Sequence, residues 1–506
     1  MRSTLPGGLG VRLVNCSHLT PGHVSDILNM VAPDTNIQER RDQEQIVRRT
    51  TMDARQVKTA ADAHAIVEER NIDYIKLGVF DMDGILRGKY INRSKFFSAL
   101  ESGFGFCDVV LGWDSDDQLY DSAVYTGWHT AYPDAWVKVL PETCREIPFE
   151  ENTLFFLCEF TERAETICPR GTLRRVLQRA DDMGLAASAA CEFEFFLFDE
   201  TPESVREKGF KNLNTLTPGN FGYSVLRNSV HAEIYHDYLE LCTKMDFPIE
   251  GLHTETGPGV LEAALVYDEA LNAGDKAALF KTFIKILAQR QGLMATFMAK
   301  WSPDYPGQSG HIHISLQGKD GRAVFHDASK PHNMSDQMRW FVGGQQRLMP
   351  ELLSMIACTV NSYSRLIPGF WAPTDATWGI DNRTTALRAI PGTEKSQRVE
   401  YRIAAADINP YIAIAASIGS GLWGIENKIE PGDPVAGNAY ARTFAEEYGL
   451  PKTLIEAAGR LKTSDAAVEL FGADFVEHYA QSREWEEREF RKAITDWEMQ
   501  RYFEII

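Results

Sequence analysis

Two glutamates, Glu192 and Glu194, interrupt the apolar, aromatic run Ala187-Ser-Ala-Ala-Cys-Glu-Phe-Glu-Phe-Phe-Leu-Phe198. Side chains alternate along a strand, so both acids face one way while Cys191, Phe193 and Phe195 face the other. An unpaired buried carboxylate is costly, so such a pair coordinates metal, meets arginines or is protonated; a solvated strand face is the plainer alternative. The same i, i+2 spacing recurs in His311-Ile-His313 and in Arg398-Val-Glu-Tyr-Arg402, and two more acids bracket a Gly-Pro-Gly turn in Glu255-Thr-Gly-Pro-Gly-Val-Leu-Glu262. Singly, a strand histidine is usually a satisfied core residue, and alternating Arg-Glu-Arg a salt-bridged face. Several such strands in one chain make separate plain explanations less comfortable. Carboxylates with an imidazole suit Mg²⁺ or Mn²⁺ better than zinc, whose structural sites want cysteine. Arg365, Arg383, Arg388, Arg398 and Arg402 suit phosphates and substrate carboxylates. Acids that hold divalent metals beside arginine clamps are the parts of phosphoryl transfer.

These side chains need a large scaffold. At 506 residues the chain is expected to form two domains or more, and 44% apolar with 24% charged residues is the composition of a globular protein. A net charge of -19 without any polybasic block argues against nucleic acid or an anionic membrane as partner. The start, Met1-Arg-Ser-Thr-Leu-Pro-Gly-Gly, has no apolar core of signal-peptide length, and the most apolar stretch, 403–424, is broken by Asp407, Asn409 and Pro410. A cytoplasmic protein is expected. The eight cysteines include no C-x-x-C pair and read as reduced thiols, with neither a disulfide framework nor a zinc site.

Residues 1–55 are polar and read as a peripheral extension, followed by a helix at 62–70 and a strand at 74–81 that turns at Asp83-Gly84 into 86–91. The segment 104–136 collects aromatics from Phe104 to Trp136 among Asp108, Asp114, Asp116, Asp117 and Asp121. Its irregular spacing predicts loops, either a small core of packed rings or a pocket wall suited to an amine. A strand at 152–159 closes a smaller, strand-rich first domain. A helix at 169–184 leads into the central strand, followed by a polar insert at 200–225 and helices at 230–245 and 267–293. Further strands are predicted at 295–300, 311–316 and 398–403. The last seventy or so residues read as polar helices, with Trp485-Glu-Glu-Arg-Glu-Phe-Arg-Lys492 as a solvated face.

Seven motifs follow one another in the order of the glutamine synthetase family: Glu192-Phe-Glu-Phe-Phe, Glu255-Thr-Gly-Pro-Gly-Val-Leu-Glu262, Thr296-Phe-Met-Ala-Lys300, Ser309-Gly-His-Ile-His-Ile-Ser-Leu316, Asn361-Ser-Tyr-Ser-Arg-Leu-Ile-Pro-Gly369, Asn382-Arg-Thr-Thr-Ala-Leu-Arg388 and Arg398-Val-Glu-Tyr-Arg402. The chain resembles that family over about residues 74–430. The resemblance implies an α+β protein: an extension with a helix (1–70), a small β-grasp domain (71–165) and a large α/β catalytic domain (166–506). It also implies a homo-oligomer, expected to be a dodecamer of two stacked hexameric rings with each active site between two subunits. One metal site resembles Glu194, Glu255 and Glu262, and the other Glu192, His311 and Glu400. His313, Ser315 and Arg398 match nucleotide contacts, Arg383 and Arg388 phosphate contacts, and Gly307, Arg365 and Arg402 the glutamate side. The implied chemistry uses ATP and two or more Mg²⁺ or Mn²⁺ ions to phosphorylate the γ-carboxylate of L-glutamate, after which a nitrogen nucleophile displaces phosphate.

Two departures concern the nitrogen side, and a third, Pro306 before the glutamate-site glycine, concerns the amino-acid side. Ammonia-using members carry a glutamate before Ala-Pro in the flap, whereas Pro368-Gly-Phe-Trp-Ala-Pro373 puts Trp371 there. An Asp-Gly-Ser-Ser motif becomes Trp113-Asp-Ser-Asp-Asp117, keeping Asp114 and losing the second serine, and Pro306 replaces an asparagine. Every metal position is retained while the nitrogen pocket is altered. The expectation is therefore a ligase joining glutamate to an organic amine, with Asp114, Arg383 and Arg402 as its catalytic residues and Trp371 as part of the amine site. An alkylammonium titrates near about 10.4 and needs a base, for which Asp114 is the first candidate. Trp371 favours a hydrophobic monoamine over a polyamine, whose distal charges Asp116, Asp117 and Asp121 would hold. The alternatives are an ammonia-dependent glutamine synthetase with a flap acid drawn from Asp375 or Asp381, and a non-catalytic ring-forming paralogue.

Overall fold

The computed structural model describes residues 52–506, so the extension read at 1–55 lies almost wholly outside the described residues. Ala54–Ile506 form one compact unit. Helix α1 (Ala60–Glu69) starts at a reciprocal cap in which the Thr59 hydroxyl accepts from the Asp62 amide and the Asp62 carboxylate accepts from the Thr59 amide. Strands β1 (Tyr74–Phe80) and β2 (Leu86–Asn92) pair antiparallel about the Asp83-Gly84 turn, where Gly84 takes φ 75°. After α2 (Arg93–Ser102), strands β3 (Phe104–Cys107), β4 (Asp134–Val139), β5 (Arg145–Glu146) and β6 (Leu154–Phe160) complete a sheet of order β2-β1-β6-β4-β3, with β5 on β6.

Helix α3 (Pro169–Asp182) leads into β7 (Leu185–Phe198), the long central strand of a second sheet. Then come α4 (Pro202–Glu207), α5 (Val225–Val230), α6 (Ala232–Lys244), β8 (Ile249–Thr254), β9 (Val260–Leu265), β10 (Asp268–Glu269) and α7 (Ala270–Arg290). Strands β11 (Met294–Thr296) and β12 (Gly310–Gly318), helices α8 (Asp336–Leu352) and α9 (Ser362–Arg365), and strands β13 (Trp378–Ile380), β14 (Leu387–Ile390) and β15 (Arg398–Tyr401) follow. The sheet runs β13-β14-β15-β12-β7-β9-β8, with β10 and β11 also paired to β7. Alternation along β7 decides its two faces. Leu185, Ala187, Ala189, Cys191, Phe193 and Phe195 are buried, and the Phe193 and Phe195 rings lie 6.0 Å from Phe280 of α7. Glu192 and Glu194 face the other way, onto the side that those helices leave open.

The chain ends with α10 (Pro410–Asn427), α11 (Leu454–Lys462), α12 (Asp465–Phe471), α13 (Ala473–Phe490) and α14 (Asp496–Tyr502). Apolar on nearly every side, α10 is the buried helix of the core, and its Asn409 cap also donates to the Asp81 and Met82 carbonyls in the β1–β2 turn. Arg170 of α3 ties the first sheet to α7 through buried pairs with Glu159 of β6 and Asp275 of α7. Among the described residues no helix is long and apolar enough to cross a membrane, and none of the seven cysteines forms a disulfide.

Three expectations from sequence need correction. The Glu255–Glu262 turn is the tip of a β8–β9 hairpin, although no strand was predicted on either side of it. The insert at 200–225 contains a short helix, α4, at its start. Helix α13 is not a solvated face: Arg483, Trp485 and Glu487 are buried. The loop between β3 and β4 covers it, with Tyr120 edge-on to Trp485 and His478, and the Trp485 indole N–H donating to Asp114 at 2.9 Å. Of the two readings of 104–136, these rings form the small core.

His478, also in this contact, gives Nε2 to the Leu111 carbonyl at 2.7 Å, and burial brings its pKa from 6.5 down to about 4. The folded state therefore favours the neutral ring. Its stabilisation is complete above pH 6.5 and is lost as the pH falls toward about 4, by on the order of 3 kcal/mol in all. His478→Gln keeps a donor for Leu111 without the titration. Melting curves from pH 7 to 4.5 are expected to slope less steeply for this variant than for wild type; equal slopes would place the acid sensitivity elsewhere.

Candidate active site

Strand register gathers the charged side chains on the open face of the second sheet. His311 stands opposite Glu192, Glu194 opposite Glu262, His253 opposite Glu262, His313 opposite Glu400, and Arg388 opposite Glu400. Directly opposed residues share a face, so the i, i+2 pairs of single strands become one field of charge across six strands. His311 Nδ1 lies 3.3 Å from a Glu192 oxygen and 3.3 Å from a Glu400 oxygen, and His313 Nε2 lies 3.7 Å from Glu192. On the other side, His253 Nε2 lies 3.4 Å from Glu262 and 3.6 Å from Glu255. The cavity above these groups measures about 770 Å³.

Its electrostatics are those of an acid cluster short of cations. Burial, followed by Glu192, Glu194, Glu255 and Glu400, pushes the Glu262 carboxyl up to about 10. Glu400, though buried, is held at about 2 by His311, Arg402, His313 and Arg388. Burial and Arg402 lower His311 to about 4, leaving a neutral ring able to give a lone pair. Glu192, His313 and Glu400 form one group and His253, Glu255 and Glu262 another, with the ligand atoms of each within 4.8 Å. Buried His253 Nε2, His311 Nε2 and Ser309 Oγ have no hydrogen-bond partner. Two sets of oxygen and imidazole donors with unsatisfied atoms and excess negative charge fit hard divalent cations.

All six residues expected at the metals line this cavity. So do His313, Ser315 and Arg398 expected at the nucleotide, Arg383 and Arg388 at the phosphates, and Gly307, Arg365 and Arg402 at glutamate. Arg398 Nε donates to His313 Nδ1 at 3.3 Å, which turns the other ring nitrogen toward Glu192. Arg365 is buried, and a β-carbon on Gly307 would come within 2.6 Å of its Cγ, so glycine is required for the two to pack. His253 is the residue that reading the sequence missed; its signal was the His253-Thr-Glu255 spacing, invisible while β8 was not recognised as a strand.

Around the mouth lie Trp371, 58% exposed, and Tyr223, 70% exposed and stacked on His253 at 4.3 Å. Trp371 takes φ 59°, a strained conformation for a bulky residue, beside Phe370, whose ring is covered by the Lys300 ammonium at 4.7 Å. Asp114 is not brought to this cavity. Its carboxylate accepts from the Asp116 and Gln118 amides as well as from Trp485. Neither of the acids considered as flap substitutes lines the cavity: Asp381 pairs with Arg388 at 2.6 Å, and Asp375 accepts from the Thr374 hydroxyl.

Two groups of oxygen and imidazole donors that fit divalent cations, in one cavity with five arginines, are the parts of a phosphoryl-transferring site. The model of the glutamine synthetase catalytic domain matches residues 166–502, and the chain belongs to the glutamine synthetase family. It is 45% identical over 441 residues to type-1 glutamine synthetase 2 of Dictyostelium discoideum, covering 86% of this chain and 84% of that one. It is 37% identical over 446 residues to the glutamate–isopropylamine ligase of a Pseudomonas species, covering 87% and 97%. A solved structure of apo GmaS shares its fold at TM-score 0.76 and 24% identity, over 88% of this chain and all 100% of that one. The protein is an ATP-dependent carbon–nitrogen ligase of a family that requires divalent metal.

Proposed function

We propose that the chain joins the γ-carboxylate of L-glutamate to an organic amine through a γ-glutamyl phosphate, with a hydrophobic monoamine preferred to a polyamine. The observation that carries this reading is the flap: Trp371 and Phe370 line the cavity, and neither Asp375 nor Asp381 does. The likeness to an isopropylamine ligase supports it. In this reading Arg365, Gly307 and Arg402 hold glutamate, His313, Ser315 and Arg398 hold the nucleotide, and Arg383 and Arg388 face the phosphates. Glu194, Glu255 and Glu262, joined by His253, would hold one Mg²⁺ or Mn²⁺, and Glu192, His311 and Glu400 the other. Bound divalent ions would neutralise phosphate charge. Arg383 and Arg388 stabilise charge that develops on the transferred group, and the apolar flap keeps water from the acyl phosphate.

Residues 71–165 are read as the β-grasp domain and 166–506 as the catalytic domain of a dodecamer of two hexameric rings. Asp114, outside the cavity of its own chain, is assigned to the nitrogen site of a neighbouring copy. A second reading, ammonia-dependent synthesis of glutamine, is favoured by the likeness to the Dictyostelium enzyme. Phosphate release with Mg²⁺-ATP, glutamate and a panel of ammonium, ethylamine, isopropylamine, aniline, putrescine and spermine separates the two. A monoamine is expected to exceed ammonium in kcat/KM by about tenfold or more. Turnover with ammonium alone would establish the second reading.

A further inference from the structure

Arg365 sits on α9, a single helical turn that could not hold a fixed position by itself. Its start is bound to a carboxylate that the chemistry above does not use. Asp407 Oδ2 accepts from the Thr359 hydroxyl at 2.7 Å and from the Ser362 hydroxyl at 2.6 Å. Those hydroxyls accept in turn from each other's backbone amides, Ser362 N to Thr359 Oγ1 and Thr359 N to Ser362 Oγ, both at 3.1 Å. Each hydroxyl has one proton, and Asp407 takes both, so the lone pairs are left aimed at the amides. At the end of α9, the Arg365 guanidinium donates from Nη1 to the Ile403 carbonyl at 3.0 Å and from Nη2 to the Arg402 carbonyl at 3.3 Å. Both ends of the turn are thus fastened to the segment 402–407. Asn361 holds the same turn to both backbone groups of Lys300, each at 2.8 Å.

We infer that Asp407 is a positioning residue: through Thr359, Ser362 and α9 it fixes the guanidinium of Arg365 where the carboxylate of the amino-acid substrate binds. This rests on the assignment of Arg365 to the glutamate side. A carboxylate clamp loses its advantage when its donor moves by about an ångström, whereas the nucleotide groups on β12 and β15 do not depend on α9.

Kinetics with hydroxylamine as nitrogen donor, scored as hydroxamate, test this whatever the natural amine. Asp407→Ala is expected to raise the KM for glutamate by about tenfold or more, with the KM for ATP changed less than about twofold. Asp407→Asn keeps an acceptor for the hydroxyls and is expected to recover most of the loss. An unchanged glutamate KM in Asp407→Ala, or an equal rise for ATP, overturns the inference. If that variant does not fold, Ser362→Ala must show the same selective rise, and its absence overturns the inference equally. Arg365→Lys in parallel separates the two levels. If it leaves the glutamate KM unchanged, the glutamate-side assignment fails; if it raises the KM while Asp407→Ala does not, only the role of Asp407 fails.

Discussion

Glu262→Gln is expected to lower ligation by about a thousandfold while leaving the metal-free protein at least as stable as wild type. Both effects have one cause. Glu262 lies among Glu192, Glu194, Glu255 and Glu400, and burial with that like charge raises its pKa from 4.5 to about 10. A carboxyl whose folded pKa is raised costs no stability below pH 4.5, and its cost grows as the pH climbs from there toward about 10. Glutamine occupies the same volume without that cost. In EDTA the variant should therefore melt above wild type, by a margin that widens from pH 5 to 8. Mg²⁺ or Mn²⁺ should reverse the order, because the wild-type cluster gains binding energy that the variant has partly lost. Melting curves with and without metal, beside phosphate release, check both halves. Retained activity, or equal metal-dependent stabilisation of the two proteins, would remove Glu262 from the metal group.

Strands β7, β12 and β15 were legible because their signal is local: charged residues alternate with large apolar ones, and period two alone fixes which side chains share a face. Grouping those residues is a different problem, because it depends on register. The expected sets were Glu194, Glu255, Glu262 and Glu192, His311, Glu400; register also brings His253 to Glu255 and Glu262, and His313 to Glu192 and Glu400, while His311 stays 3.3 Å from both Glu192 and Glu400. Strand β8 escaped notice because Ile-Glu-Gly-Leu-His-Thr scarcely alternates and its pairing shifts register between Ile249 and Gly251. Helix α13 looked solvated for a related reason. The loop that buries Trp485 comes from 371 positions away, and nothing in the helix itself announces it. The same contact engages Oδ2 of Asp114, the residue that the motif marked as a candidate base.

Trp371→Glu should move the ratio of kcat/KM for isopropylamine to that for ammonium by about a hundredfold toward ammonium. Ammonium is small and carries donors on every side, so a site that selects it needs an anion at the flap; an alkylammonium carries the same charge but adds apolar surface, against which an ionised carboxylate would be desolvated. Trp371 supplies a ring in place of the anion, and the nearby acids are engaged elsewhere, Asp381 with Arg388 and Asp375 with Thr374. Glutamate at this position inherits the φ of 59° and is strained as tryptophan is, so the backbone is not the variable. Trp371→Phe is the companion variant: it keeps an apolar ring, and the preference for the alkylamine should survive with a lower kcat/KM. A ratio unmoved by Trp371→Glu would shift selectivity to another part of the lining, where Tyr223 stacks on His253. A ratio moved by both variants alike would mean that the size of the indole, and not the missing charge, chooses the nitrogen donor.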